Sequence, residues 1–462
     1  MTFSPELADI RFGCGLSPII PSPESPGAML DSLVSSDEMA TAFPIEAFDV
    51  FRERMLIDRE IIKKMKKTRG TEAFPATRKE RRAHQAKARK DMIKWLGHEI
   101  LRRVYTPSPM RERLVFFWGD HFTATGKRGI LRRATSPYIE EAIRPNIAGR
   151  FEDLLIPAVT HPLMLNYLDQ FRSVGPNSQR GVKSKGQLGL NENLAREILE
   201  LHTLGVNGAY TQIDVRQLAE LLTGLSYTAN DGLVFRYKRA EPGAETVLGK
   251  TYGDNGRQTM DPIRAVLRDL ANHPTTARHV SSKLAVHFIS DTPAPDLVDQ
   301  MTEAYLRTDG NLMSVYAAML DHPTAWSTTF RNAKLPLDFV SSSCRALVVA
   351  PGIIQDMRRK DMRRIFFTPM ANMGHIWQQP TGPDGLAEAD TNWITPQGLA
   401  ARIEWAMNIP QRLKPELPDP RVFVTEALGS FADSTVRFAA GAAENKTEAI
   451  GLVLSSPAFQ YR

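Results

Sequence analysis

The sequence predicts a mainly α-helical fold, a large multi-helix orthogonal bundle with one small β-hairpin. Three observations lead to this prediction. Long stretches place apolar residues three and four positions apart, which is the spacing of an amphipathic helix. Helix-starting pairs such as Asp261-Pro262 and His273-Pro274 precede several of them. Alternating, period-two patterning occurs near residues 225–252. With 462 residues and 42% apolar composition, the chain can bury a large core.

The N-terminal part is predicted as a helix and loop over residues 1–50, followed by a basic helical arm over 51–105. Its predicted helices are Pro5 to Arg11, Ile45 to Lys67 and Arg78 to Tyr105. Between Arg52 and Arg103 stand 18 Lys and Arg against 7 Asp and Glu, in a chain whose net charge is +6. Basic arms are typical of proteins that bind nucleic acid or anionic surfaces. Aromatic residues for base stacking are sparse, so nucleic acid is not the expected partner and a solvated or partner-facing arm is.

Residues 106–330 are predicted as a central helical core that contains the β-hairpin, and residues 331–462 as a C-terminal helical part packing on the same core. Asn230-Asp231-Gly232 is typical of a hairpin turn, and TVLGKTYG after it is expected to add a third short strand. The main predicted helices are Met110 to Phe122, Asn191 to Gly208, Thr211 to Leu222, the two that begin at Asp261 and His273, Lys334 to Val349, Gly352 to Arg364, Thr395 to Met407 and Lys446 to Leu454.

The segment NENLAREILELHTLGVNG, Asn191 to Gly208, holds the densest group of ionisable residues. As a regular helix it places on one face the residues Glu192, Asn193, Arg196, Glu197 and Glu200. His202 falls on the apolar face unless the helix ends or bends near Leu201, and Gly205 is a plausible end. The polar face has two interpretations. It is either a metal or anion site or a solvated ladder of ion pairs, Glu192–Arg196–Glu200, at i,i+4 spacing.

This segment also carries a family resemblance. It resembles the signature of a large bacterial family catalogued as domain of unknown function number 1800. Other segments are similar in the same order: RERLVFFWGDHF, HPLMLNYLD, EPGAETVLGKTYG, HPTTARHVSSKLAVHF and a closing stretch from Trp377 to Ala406. The resemblance implies that His121 belongs to the family pattern FWxxHF, in which relatives usually carry a second histidine where this chain has Gly119. It also implies a sulfatase-like partner protein, because genes of the two families often occur together.

Two hypotheses follow for the function. The first is a metal-dependent enzyme, a hydrolase or an oxidoreductase, with a carboxylate and histidine site on the central helix. A divalent metal ion such as manganese, iron, calcium or magnesium would suit these oxygen-rich ligands. The expected metal ligands are His121, Glu197 and Glu200, and the expected catalytic groups are His121, Glu197 and His202. The expected substrate-binding residues are Asn193, Arg196, His273, Arg278 and Lys283. The second hypothesis is a non-catalytic binding or accessory protein that acts in complex with a partner enzyme.

Several classes of protein are excluded or disfavoured by the sequence. Motifs for phosphate-binding loops, dinucleotide folds, nucleophile elbows and zincin helices are absent, so no nucleotide cofactor is expected. No apolar run reaches the length of a membrane span. Cys14 and Cys344 are too few for a disulfide framework. A cytoplasmic protein is therefore expected, because the N-terminus does not resemble a signal peptide. Export to the periplasm together with a partner is the alternative, since many relatives look exported.

Overall fold

A computed structural model describes residues 2–462. Its N-terminal helices are α1 (Pro5–Leu7), α2 (Pro26–Val34), α3 (Glu38–Ala42), α4 (Phe48–Lys67), α5 (Phe74–Tyr105) and α6 (Pro109–His121). Helices α4 and α5, which lie in the segment predicted as a basic arm, pack against each other. Helix α5 begins four residues earlier than predicted. Pro75 lies in its first turn, where a missing N–H costs nothing, so this proline starts the helix instead of interrupting the chain before it.

The middle of the chain is a series of shorter helices. They are α7 (Thr135–Tyr138), α8 (Phe151–Thr160), α9 (Pro162–Tyr167), α10 (Gln179–Lys183), α11 (Asn193–Glu197), α12 (Gln212–Leu221), α13 (Asp261–Ala271), α14 (Pro274–Phe288), α15 (Pro295–Arg307) and α16 (Leu312–Asp321). Thr211 and Asp214 form a capping box at the start of α12, as the sequence indicates. In α9 and α14 the ring of the preceding histidine, His161 or His273, accepts the N–H two residues further on.

The predicted β-hairpin is present, and a second one follows it. Strands β1 (Leu225–Thr228) and β2 (Gly232–Phe235) pair antiparallel across the expected turn. The segment expected to add a third strand instead folds on itself, as β3 (Gly243–Val247) and β4 (Lys250–Asp254). The two-residue turn Leu248-Gly249 allows this, since both residues have positive φ values. The mainly α-helical fold class is confirmed.

The C-terminal part consists of α17 (Pro336–Ala346), α18 (Pro351–Gln355), α19 (Arg359–Met362), α20 (Thr368–Asn372), α21 (Pro396–Asn408), α22 (Pro410–Leu413), α23 (Pro420–Leu428), α24 (Ser434–Ala442), α25 (Lys446–Ser455) and α26 (Pro457–Gln460). The single helix predicted from Gly352 to Arg364 is broken into α18, α19 and a π turn over Arg363–Phe367. A long loop from Met373 to Thr395 separates α20 from α21 and contains Trp377 and Trp393.

Buried apolar side chains form two large clusters. One is built mainly by the helices from α1 to α16, and the other by the C-terminal half of α5 together with α17 to α26. A buried carboxylate, Asp338 of α17, ties them together by pairing with Arg103 of α5, Arg113 of α6 and Arg462. None of the helices within residues 2–462 is long and apolar enough to cross a membrane.

Candidate functional site

The central helix changes geometry in the middle of the signature segment. Helix α11 passes directly into a π turn over Ile198–Thr203, in which the Leu204 N–H donates to the Leu199 carbonyl at 3.0 Å. The element ends at Gly205, whose φ of +86° is the left-handed conformation expected after a helix. Inserted π turns are uncommon in proteins, and many of those known lie at functional sites. This one contains His202.

The ion-pair ladder on this helix is formed. Arg196 lies 3.6 Å from Glu192 and 3.2 Å from Glu200, and Gln212 of α12 hydrogen-bonds to both Arg196 and Glu192. The Arg196 side chain is 39% exposed, so each pair is worth only a few tenths of a kcal/mol, on the order of 0.3. Asn193 is exposed at the start of the same helix. Arg196 and Glu200 are therefore engaged with each other, and their roles in substrate or metal binding stay predictions.

Glu197 lies apart from this ladder. Burial, with Glu200 and Asp384 nearby, raises the pKa of Glu197 to about 7, against the opposing effect of Arg196. Tyr167 lies near Glu197 and Asp384, since its pKa is raised by burial and then by these two acids. Because Asp384 belongs to the loop between α20 and α21, Glu197 lies near that loop.

His121 and His202 come together in a dry, aromatic part of the core. Their ring centroids are 5.8 Å apart, and the His121 Nε2 lies 3.3 Å from the His202 carbonyl oxygen. Within residues 2–462, the His121 Nδ1 and both ring nitrogens of His202 have no hydrogen-bond partner. Burial lowers the pKa of His121 well below its ordinary value, and that of His202 to about 3. Both rings are therefore neutral near pH 7.

The other predicted residues lie at several places around the core. Lys283 of α14 is close enough to His121 and His202 that its charge, after burial, lowers both pKa values. His273 caps α14, its Nδ1 accepting the Thr275 N–H at 3.1 Å. Arg278 forms an exposed ion pair with Asp299 of α15. In the part of the chain that the structure describes, no three His, Cys, Asp or Glu side chains are grouped as a metal site. The proposed ligand set stays a prediction.

The sequence reasoning did not select Asp120, the residue before His121. Its carboxyl accepts the Leu386 N–H at 3.1 Å on each of its two oxygens. Burial raises the pKa of Asp120 to about 7. The Leu386 N–H and Lys283 oppose this shift, and the carboxyls of Glu388 and Asp384 add to it. Asp120 is thus a half-buried carboxyl whose pKa lies near neutral pH.

The loop that contains Leu386 depends on a glycine to approach Asp120. Gly385 has a φ of +79°, and a Cβ at this position would lie 2.6 Å from the Asp120 Oδ2. Two residues further on, the Glu388 carboxylate accepts from His287 of α14 at 3.1 Å. The loop is therefore held on the end of α6 by contacts with both α6 and α14.

Asp120 lies on a cavity of about 100 Å³ between α5, α6, the segment 135–140 and this loop. Glu99 of α5 lines the same cavity, and burial raises its pKa. The Trp377 indole donates to the Glu99 carboxyl at 2.9 Å, and the Gln378 amide donates to the Ser136 hydroxyl at 2.5 Å. The loop thus supplies part of the wall and orients the polar groups at its surface.

The three arginines of the cavity wall are held in ion pairs. Arg102 pairs with Glu140 at 2.6 Å and Arg144 with Glu112 at 2.5 Å, while Arg103 pairs with Asp338, which lies outside the wall. By contrast, over residues 2–462 neither Asp120 nor Glu99 has a basic group within 4.0 Å. Two carboxyls with raised pKa values therefore face one cavity whose arginines are held in ion pairs, which is a typical environment for acid–base chemistry.

Both carboxyls had weak signals in the sequence. Glu99 stands three and four positions after Leu96 and Trp95, so it lies on the apolar face of α5, where an acid is unusual. Asp120 interrupts the apolar run LVFFW-G-D-H-F. The other half of the site, Trp377 to Leu386, is too far along the chain for any local pattern to link it to these acids.

Comparison with known proteins gives one family. A family model described as "Protein of unknown function (DUF1800)" matches residues 21–461. No curated protein and no solved structure matches the chain.

Proposed function

The chain belongs to the DUF1800 family, and from that premise we propose a function that the family description does not contain: an enzyme in which Asp120 transfers protons. The observation that carries this proposal is the Asp120 carboxyl at the wall of a cavity, with its pKa raised to about 7. Near neutral pH both the protonated and the ionised form of such a carboxyl are populated, which a general acid–base group requires.

The contrast with the other buried acids supports this role. Glu112 and Asp338 pair with arginines, and these partners hold the pKa of each carboxyl below its ordinary value. Such acids stay ionised and hold the fold together. Asp120 is half-buried, and its one direct side-chain contact is a backbone N–H, which orients the carboxyl without fixing its charge. A group that must change its charge during a reaction needs this kind of surrounding.

The cavity favours a small, polar and uncharged substrate. Its volume of about 100 Å³ is small, its arginines are held in ion pairs, and its wall also carries hydroxyls, an amide and an indole. We assign the reaction class as hydrolysis. Asp120 as carboxylate takes a proton from the attacking water, and Glu99 as neutral acid gives a proton to the leaving group as its bond to the substrate breaks. Each carboxyl is restored when the two exchange protons with solvent.

A divalent metal ion at the central helix is a second proposal. It is supported by Glu197, whose pKa is raised in part by the carboxyls of Glu200 and Asp384. A cation bound among these acids would remove their repulsion, and the neutral imidazole of His121 is in the protonation state that metal ions bind. The metal would bind and orient a substrate group, and this proposal does not require Asp120.

The test of the Asp120 proposal combines a spectroscopic and a catalytic readout. Infrared difference spectra over a pH titration should show a carboxyl that titrates near pH 7 in the wild type and is missing in D120N. A panel of small uncharged esters, amides and glycosides should be hydrolysed by the wild type, with a loss of at least about a hundredfold in D120N. E192Q, on the exposed ladder, is the matched control and should behave as the wild type.

Equal hydrolysis by D120N and the wild type would refute the role of Asp120. An inactive wild type that forms a stable complex with a partner enzyme would favour the accessory alternative. A sulfatase-like protein, as the resemblance implies, is the first partner to test. The two outcomes can be distinguished because the wild type alone is active in the first and inactive in the second.

A further inference from the structure

A second polar cavity lies beside α5, and neither Asp120 nor Glu99 belongs to its lining. Its volume is about 290 Å³, and it forms where α5 meets the segment that follows α6. Its polar lining is supplied by Arg81, Gln85, Arg89, Arg128, Arg132 and Arg133. None of the proposed catalytic or metal-binding residues belongs to it. We call it the arginine pocket.

The local structure explains why these side chains converge. Arg81, Gln85 and Arg89 are spaced four residues apart on α5, so they lie along one face of the helix. The facing segment turns at Gly129, whose φ is +62°, and continues as a 3₁₀ turn over Gly129–Arg133. The turn brings three further arginines against the same face.

The charge of the arginine pocket is poorly compensated. Among residues 2–462, the carboxylate that pairs with its arginines is Asp58, 3.2 Å from Arg81. Arg132 donates to the Lys127 carbonyl, and Arg133 contacts a methionine sulfur. The Arg89 Nε is buried and, in the described part of the chain, has no partner.

The arginines of this pocket lie close enough for their charges to repel. The pKa of Arg133 is lowered by burial and then by Arg89, Arg132 and Arg359 of the neighbouring helix α19. Holding several guanidinium groups together without anions costs free energy, since like charges a few ångströms apart repel. The fold keeps them together at the mouth of a cavity. An anion bound there would attract each guanidinium group and outweigh the repulsion among them.

We propose that the arginine pocket binds a small molecule through a phosphate or sulfate group. The planar guanidinium matches tetrahedral oxyanions by donating two parallel N–H bonds, and arginine is preferred over lysine at such sites. The lining contains no aromatic residue within residues 2–462, which argues against bases of single-stranded nucleic acid stacking there. The volume suits one or two phosphate groups with a small attached moiety. This site is independent of the reaction proposed at Asp120.

The experiment is calorimetric titration of the purified full chain with pyrophosphate, inorganic phosphate and sulfate at low ionic strength. We expect pyrophosphate to bind one site per chain and to raise the melting temperature. R89A/R133A removes two guanidinium donors and should weaken binding at least about tenfold, because hydrogen bonds between two charged groups are among the strongest in proteins. If the double variant fails to fold, R128A tests the site instead, because Arg128 is exposed and its removal should leave the fold intact. The relative affinities for phosphate and sulfate identify the group that the pocket prefers.

The matched control is R363A/R364A, which removes the same charge from a separate basic groove on the C-terminal part. It should bind pyrophosphate as the wild type does. The proposal is overturned by an absence of binding in the wild type, or by equal binding in the wild type, R89A/R133A and R128A. It is also overturned when the control variant alone loses binding. Tight binding of duplex DNA that depends on Arg89 and Arg133, without binding of pyrophosphate, would assign the pocket to nucleic acid instead.

Discussion

The backbone N–H of Leu386 donates to both carboxyl oxygens of Asp120, two residues that are 266 positions apart in the chain. This contact closes a loop of the C-terminal part over the end of α6. It leaves the carboxyl beside a cavity, without a basic partner within 4.0 Å in the described residues 2–462. The proposals for Asp120 can therefore be tested through stability as well as through activity.

We expect D120N to be more stable than the wild type at about pH 8 and equal to it at about pH 4. The pKa of Asp120 is about 7 in the folded chain and near its ordinary value of 3.8 in the unfolded chain. The unfolded chain therefore binds fewer protons between these values, and the carboxyl costs stability as the pH rises through that range. The full shift corresponds to roughly 4 kcal/mol as an upper bound. Urea unfolding at both pH values measures the difference.

Glu192 provides the control for this measurement. E192Q removes one carboxylate from the exposed ladder and should change the free energy of unfolding by less than about 0.5 kcal/mol at either pH. A D120N variant that tracks the wild type at every pH would show that Asp120 titrates as an ordinary acid. The assignment of Asp120 as a proton-transfer group would then be wrong.

We expect G385A to lower the free energy of unfolding by more than the cost of placing alanine at a positive φ. A Cβ at this position would lie 2.6 Å from the Asp120 Oδ2, and the φ of +79° is unfavourable for alanine. Gly186 is the matched control, since its φ is +81° and no atom lies within 4 Å of a Cβ placed there. G186A should cost about 1 kcal/mol and G385A about 1 to 3 kcal/mol more. Equal losses in the two variants would show that the loop does not press on Asp120.

The helices could be predicted from the sequence because their signals are local. Apolar spacing and caps give α12, α21 and α25 to within one or two residues of their bounds. The π turn after α11 could not be predicted, since it depends on tertiary packing and the segment also reads as a regular helix. The second hairpin was not predicted because its two strands are short and pair only with each other, so neither has a strong sequence pattern.

The candidate site was only partly predictable. His121 and His202 meet in the core, and Glu197 lies near the loop that contains Asp384. The cavity lined by Glu99 and Asp120 was not predicted. A local pattern shows that an acid lies on an apolar face, as Glu99 does. It does not show which distant segment covers that face. That information is contained in contacts such as Asp120 with Leu386, which no periodicity or spacing encodes.

The proposed metal site gives a third prediction. Elemental analysis after incubation with manganese, iron, zinc, calcium and magnesium should find about one equivalent of bound metal per chain in the wild type and much less in E197Q and H121A. Removing Glu197 removes a carboxyl that Glu200 and Asp384 already repel. E192Q is the control for loss of one negative charge on the same helix. Equal metal content in all four proteins, or none in any, would contradict the ligand assignment of Glu197 and His121.

The ion cluster around Asp338 gives the last prediction. Asp338 is buried and pairs with Arg103, Arg113 and Arg462, which hold the pKa of its carboxyl far below the ordinary value. D338A leaves these cations buried without their anion, so it should cost about 3 to 5 kcal/mol in the free energy of unfolding near neutral pH. Because the folded pKa is depressed, this contribution is present above pH 4 or so and should fade as the pH falls further.

The control for this cluster is the exposed pair Arg278–Asp299, whose side chains are 60% and 61% exposed. D299A should change the free energy of unfolding by less than about 0.5 kcal/mol, because solvent screens an exposed pair. Chemical denaturation of both variants at neutral pH gives the comparison. A loss in D338A as small as that in D299A would mean that the three arginines are hydrated or rearranged in solution. Asp338 would then not tie the two hydrophobic clusters together.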